Sequence, residues 1–178
     1  MGSYLHSLET VVNVFRAQRA HIARIHQLFA KTNQFNLTTK RYSGADLEAF
    51  IERDDCHLYL ASARDRFGDL GNIGVCLVHI QDHHAALIDS FLLSCRAMGR
   101  GIEAAIMNYL KREYLQRTSL SAMEGLYIPT KKNVPAKTFY ASEGFQVAQT
   151  SPTGAIRYVL SRDAVAFSPC DWITLEES

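Results

Sequence analysis

Between residues 57 and 116 the apolar residues change their period once, and the change falls on a glycine-bearing turn. Strand-like runs occupy His57–Ala63, Ile73–Ile80 and Ala86–Ser94, with turn sequences at Arg66–Asn72 and Asp82-His83-His84. Three consecutive strands with short turns predict an antiparallel meander. From Ile102 to Gln116 the spacing becomes helical, with Ile102, Ala105, Ile106, Tyr109 and Leu110 on one face. A further strand is predicted over Met123–Ile128. A meander followed by a strand–helix–strand crossover closes only as a mixed, twisted sheet with helices on both faces.

The flanks fit the same plan. Val11–Ala17 reads as a strand, Arg19–Lys31 as a helix carried by Ile22, Ile25, Leu28 and Phe29. A polar loop follows at Thr32–Asn36. Ser43 and Asp46 form a capping-box pattern that opens a second helix through Leu47, Phe50 and Ile51. Beyond the crossover come a helix over Val134–Ser142, ended by Gly144, and strands over Phe145–Ala148 and Ala155–Leu160. The predicted order is β-α-α-β-β-β-α-β-α-β-β, an α/β (mixed α+β) class. Residues 1–10 read as a linker with a candidate tag remnant, and 11–178 as one domain, a size that suits a single core. The position of Asp171-Trp172-Ile173 is open at this level.

Charge and cysteine usage exclude several classes. The formal net charge is +1, which makes no case for a nucleic-acid partner or a membrane surface. No apolar run approaches the ~18 residues of a spanning helix. The first residues lack a secretory pattern. Cys56, Cys76, Cys95 and Cys170 are widely spaced, with no Cys-x-x-Cys pair, which predicts reduced, buried thiols in a cytoplasmic protein and no zinc site. His79, His83 and His84 bracket a turn without metal-ligand spacing, so no metal is expected.

The chemistry is predicted at Arg96-Ala97-Met98-Gly99-Arg100-Gly101, between an apolar strand and an amphipathic helix. The first amides of a helix lack intrahelical partners and carry partial positive charge. A phosphate settles there readily. Gly99 and Gly101 let the backbone approach it, and Arg96 and Arg100 add charged donors. The expectation needs those amides free and a groove leading to them between the neighbouring strands. Asp89 stands inside the apolar run Leu87–Phe91. A carboxylate there must be paired or raised in pKa, so it is either a base or a buried structural acceptor.

Arg-x-x-Gly-x-Gly after a central strand resembles the acyl-CoA signature of the GNAT acyltransferases, and Asn133, Phe139-Tyr140 and Gly144-Phe145 resemble a second segment of that superfamily. The resemblance implies the GNAT fold and an acetyl-CoA, other acyl-CoA or phosphopantetheine thioester as donor. It implies that Leu92, Leu93 and Ser94 offer backbone groups to pantetheine, and that Arg96, Met98, Gly99, Arg100 and Gly101 hold its phosphates. Asn133 would lie beside the arm or cap its helix. Tyr140 would donate a proton to the leaving thiolate or simply pack its helix on the sheet. Asn33, Gln34 and Asn36 would cover the acceptor site, or be the polar turn residues of a helix end.

Four strings carry a narrower resemblance: Lys31–Thr39, Asp65–Asp69, Ile88–Arg96 and Tyr127–Asn133. They are similar to the C-terminal domain of FkbH-like proteins, which join a HAD-type domain to a GNAT-like one. That family is implicated in loading a glyceryl unit from bisphosphoglycerate onto an acyl carrier protein for polyketide extender units such as methoxymalonyl. The HAD Asp-x-Asp motif has no counterpart here. The resemblance implies an acyltransferase, or a non-catalytic domain that docks a carrier's phosphopantetheine arm for a HAD-type partner.

Overall fold

The structure, a computed structural model, describes residues 2–178. Helix α1 (Gly2–Ser7) precedes strand β1 (Thr10–Arg16), and α2 (Ile22–Lys31) follows it. A two-residue strand β2 (Phe35–Asn36) leads to α3 (Gly44–Glu52). The meander is β3 (Cys56–Asp65), β4 (Gly68–Gln81) and β5 (Ala85–Leu93). Then come α4 (Ile102–Lys111), extended by a π-helical turn over Arg112–Gln116, β6 (Ala122–Tyr127) and α5 (Phe139–Ser142). β7 (Gln146–Thr150), β8 (Ile156–Ser161) and β9 (Ile173–Glu177) close the chain.

The strands make one mixed sheet in the order β7-β8-β6-β5-β4-β3-β1-β9, with β2 added beside β5. β5–β6 and β1–β9 are parallel and the other pairs antiparallel. Helices cover both faces. α4 and α5 pack in one apolar cluster with Val12, Ile73, Cys76, Phe91 and Met123. α2 and α3 pack in the other with Leu58, Leu60, Val75, Leu77 and Leu92. The Ser43–Asp46 capping box opens α3, each side chain bonding the other's backbone N–H.

Three departures from the sequence reading stand out, and the tail, whose position the sequence left open, is placed. The stretch read as a linker holds α1, and Leu8 is buried after it. β4 begins at Gly68, so Arg66–Asn72 is mostly strand. The tail folds back onto α4: Asn108 Oδ1 accepts from Ser168 N–H at 3.0 Å, and buried Lys111 bonds Glu143 and Ala166 O, both at 2.9 Å. β9 then adds to β1. Cys95 is exposed, against the expectation of a buried thiol, because it begins a 3₁₀ turn after β5 rather than continuing the strand.

Candidate active site

β5 and β6 pair only from Ala85 opposite Ala122 to Ile88 opposite Gly125. The pairing stops at a bulge. On the other edge of β5, Val78 faces Ile88 and Leu77 faces Ser90, so Asp89 is the extra residue. A bulge bends its strand and sharpens the local twist, and beyond Ile88 the two strands part. The free edge of β5 is where an amide-bearing arm would add like a strand.

The chain fills that edge itself. Phe35 lies opposite Leu93 and Asn36 opposite Leu92. Leu37 N–H donates to Phe91 O at 3.1 Å, and Ile128 N–H donates to Leu37 O at 2.8 Å. Residues 35–37 thus bridge β5 to the end of β6. The expected pantetheine partners Leu92 and Leu93 are already paired, and Ser94 turns its N–H to Ile73 O at 2.7 Å. A buried edge left unpaired would be costly, which is why a local segment occupies it.

Asp89 and Asn133 hold this segment down. Asp89 is buried, takes the Lys40 ammonium, and accepts from Tyr42 Oη at 2.6 Å and Ser90 Oγ at 3.0 Å. It is a paired acceptor here, not a free base. The Tyr42 phenol is pushed well up, by burial first and then by its bond to Asp89. Asn133 is fully buried. Its Nδ2 donates to Asn36 O and Ile128 O, both at 2.9 Å, and its Oδ1 accepts from Thr130 N–H at 2.8 Å. It has no donor left for a pantetheine arm, and its side chain caps no helix. Asn36 is likewise satisfied, donating to Thr32 O at 3.1 Å and accepting from Thr39 N–H at 2.9 Å. That leaves Asn33 and Gln34 lining open space, with Asn33 Oδ1 accepting from Arg41 at 2.8 Å.

The expected phosphate cradle is crowded as well. Gly99 (φ 76°) and Gly101 (φ 79°) take left-handed conformations, so glycine is needed for the shape of the turn. A Cβ on Gly101 would also lie 2.8 Å from Trp172, whose indole N–H donates to Arg100 O at 2.8 Å. Trp172 thus packs against the turn that opens α4, beside the helix end over which a phosphate was expected. Met98 packs against the core, and the Arg100 guanidinium pairs with buried Asp65. Glu103, on the first turn of α4, carries an Oε2 without a hydrogen-bond partner. Burial holds its carboxyl above the usual range, and Glu143 adds to that shift while its own amide opposes it. When ionised, it sets a negative charge at the end where an anion would sit. Arg96 alone of the predicted cations is exposed and unpaired among the described residues.

Tyr140 behaves differently. It is 1% exposed and stacks among Phe139, Phe145 and Tyr158, with its ring against Gly125. Its hydroxyl has no hydrogen-bond partner. Burial raises the phenol well above its ordinary value, Cys76 and Asp89 push the same way, and the nearby Leu126 amide offsets part of this. Gly125 pairs with Ile88 where β5 and β6 begin to part, so this orphan hydroxyl lies at the head of the filled slot.

Open space remains on the α2 side of the slot's mouth. A cleft of about 420 Å³ is lined by Arg24, Lys31, Gln34, Phe35, Ser94 and Arg96 among others, with no Asp or Glu. The sequence reading missed Arg24 and Lys31, which look like ordinary exposed positions of an amphipathic helix.

No family model and no curated protein matches the sequence. Solved structures do match in three dimensions. An acetyltransferase from Thermus thermophilus superposes with a TM-score of 0.64 at 12% identity, over 85% of this chain and 97% of its own. An aminoglycoside acetyltransferase in complex with coenzyme A gives 0.62 at 16%, over 86% and 96%. A spermidine N-acetyltransferase from Vibrio cholerae gives 0.60 at 16%, over 85% and 94%. The chain has the GNAT acetyltransferase fold. The bulged β5, the parting of β5 from β6 and the glycine turn before α4 stand together in this fold, and residues 35–37 fill the β5 edge between the parting strands. Among the described residues no group of three metal-binding side chains occurs, and no helix is long and apolar enough to cross a membrane.

Proposed function

We propose that this chain is an acyltransferase that draws its acyl group from a phosphopantetheine thioester, and that its donor slot works only after residues 35–42 leave β5. The observation that carries the reading is the Tyr140 hydroxyl. A buried hydroxyl without a partner costs about 1–3 kcal/mol. This one lies where the strands of a GNAT fold part, so a partner supplied by the substrate accounts for its retention.

The chemistry follows from one movement. Withdrawal of residues 35–42 frees the β5 edge at Leu92 and Leu93, removes Lys40 and Tyr42 from Asp89, and takes Asn36 O from Asn133. The exposed edge then receives the pantetheine amides. The acceptor's nucleophile adds to the thioester carbonyl, and Asp89 takes its proton. Collapse of the tetrahedral intermediate breaks the C–S bond, and the departing thiolate takes the Tyr140 proton. The FkbH-like strings favour a carrier-protein arm over free CoA as the donor, and a role in extender-unit assembly with a HAD-type partner.

A second reading has its own support. Glu103, Trp172 and the saturated Asn133 all oppose a donor in the usual GNAT position, which suits a domain that docks a carrier arm without turnover. Turnover assays with acetyl-CoA and with acylated carrier protein, set beside carrier binding, separate the two. Turnover that falls at least tenfold in Tyr140→Phe supports the enzyme. Tight carrier binding with no product from either donor overturns it in favour of docking.

A further inference from the structure

We propose that the cleft between the last turns of α2 and the Ser94–Arg96 turn is a binding site for a phosphate ester, distinct from the helix end at Gly101. Three cationic side chains, Arg24, Lys31 and Arg96, line it, and no carboxylate does. Arg24 is held in place by neutral acceptors, Gln27 Oε1 and Asn72 O, the latter at 2.8 Å. Its position is therefore fixed while its charge stays uncompensated. Lys31 and Arg96 have no salt-bridge partner among the described residues. The last carbonyls of α2 oppose an anion, but a half charge at a helix end is outweighed by three full ones.

The chemistry selects the ligand class. Arginine forks match phosphate oxygens in pairs, and a lysine adds a point charge. The helix end at Gly101 has Trp172 packed against its turn and carries Glu103, so a phosphate finds fewer obstacles in the cleft. Phe35 and Leu93 form its inner wall, and these are the paired residues at the outer end of the filled slot. An arm whose phosphate sits on Arg24, Lys31 and Arg96 therefore has its pantetheine aimed at the segment it must displace. The phosphate site stands on the cleft's charge alone. Only the direction of the arm rests on the acyltransferase reading.

The single tryptophan separates the two candidate sites. The whole chain is titrated calorimetrically with 4′-phosphopantetheine, pantetheine and inorganic phosphate, while Trp172 emission is followed. The expected result is binding of phosphopantetheine, at least tenfold weaker binding of pantetheine, a tenfold loss in Lys31→Gln and in Arg24→Gln, and unchanged Trp172 emission. Phosphopantetheine binding far tighter than phosphate assigns the site to a carrier or CoA arm, and equal affinities assign it to a small phosphate ester. Both support the site. Pantetheine binding as tightly as phosphopantetheine, a shifted Trp172 emission, or full affinity in the Lys31 and Arg24 variants would each overturn it. A site that binds phosphate in a protein without turnover sinks the acyltransferase reading alone.

Discussion

Tyr140 and Asn133 stand seven residues apart in the sequence and at opposite ends of polar satisfaction. Asn133 uses both its oxygen and its amide nitrogen, so Asn133→Ala strands Asn36 O, Ile128 O and Thr130 N–H in a buried site. Each orphaned group costs about 1–3 kcal/mol, and we expect a loss of about 3 kcal/mol or more in denaturant unfolding. Tyr140→Phe removes an oxygen that nothing satisfies. The expected change is a gain of up to about 1 kcal/mol, or a Tm rise of roughly 2–4 °C, together with loss of turnover. A stabilised but inactive Tyr140→Phe is the pattern of a residue kept for chemistry, and a destabilised one would mean that the hydroxyl has a structural partner. Residue identities at both positions were legible in the sequence. Their states were not, because the partners of Asn133 lie at residues 36, 128 and 130 and the isolation of Tyr140 depends on three surrounding rings.

At the scale of elements, periodicity disclosed what repeats within a segment and hid what depends on a distant one. α2, α3, α4 and the meander each carry several turns or alternations, so their residues announced them. β2 is two residues long and β9 five, too short for a period to show, and each is specified by the strand it joins. The same gap explains the donor site. The glycine turn before α4 was legible, but the covering Trp172 arrives from the far end of the chain, and the plug at 35–37 arrives from the α2–α3 connection. Lys40 and Asp89 form the latch of that connection. Lys40→Ala should loosen residues 35–42, because it takes the ammonium from a buried carboxylate that keeps only the Tyr42 and Ser90 hydroxyl donors, a loss that costs more than that of an exposed surface pair. Hydrogen exchange at the Leu37 amide is expected to quicken at least tenfold while the amides of β4 hold. Equal exchange at Leu37 in both proteins would mean that the segment is held by its apolar contacts alone, Phe35 on Phe91 and Phe139.

The molecule as a whole is built around buried phenols, and this fixes its response to alkali. Tyr59, Tyr114 and Tyr140 are each 2% exposed or less, and burial is the first cause of a raised pKa in all three. A phenol raised in the folded state keeps its proton while the unfolded chain, with tyrosines near pKa 10, gives its protons up. The unfolded state then binds fewer protons than the native one, so stability is fully present below about pH 10 and falls as the pH rises past it. Each such group contributes up to about 1.4 kcal/mol per pH unit between its unfolded and its folded pKa, so three give at most roughly 4 kcal/mol per unit over the range in which all stay protonated. A domain of ordinary stability, about 5–15 kcal/mol, should therefore unfold within a few units above that point. Phenolate absorbance of these three should appear together with loss of helical circular dichroism in one cooperative step, because burial favours their protonated form while the fold is intact. Gradual phenolate formation at constant ellipticity would show that water reaches Tyr59, Tyr114 and Tyr140 in the folded protein. The dry interior that leaves the Tyr140 hydroxyl without a partner, on which its proposed role as proton donor rests, would then not exist.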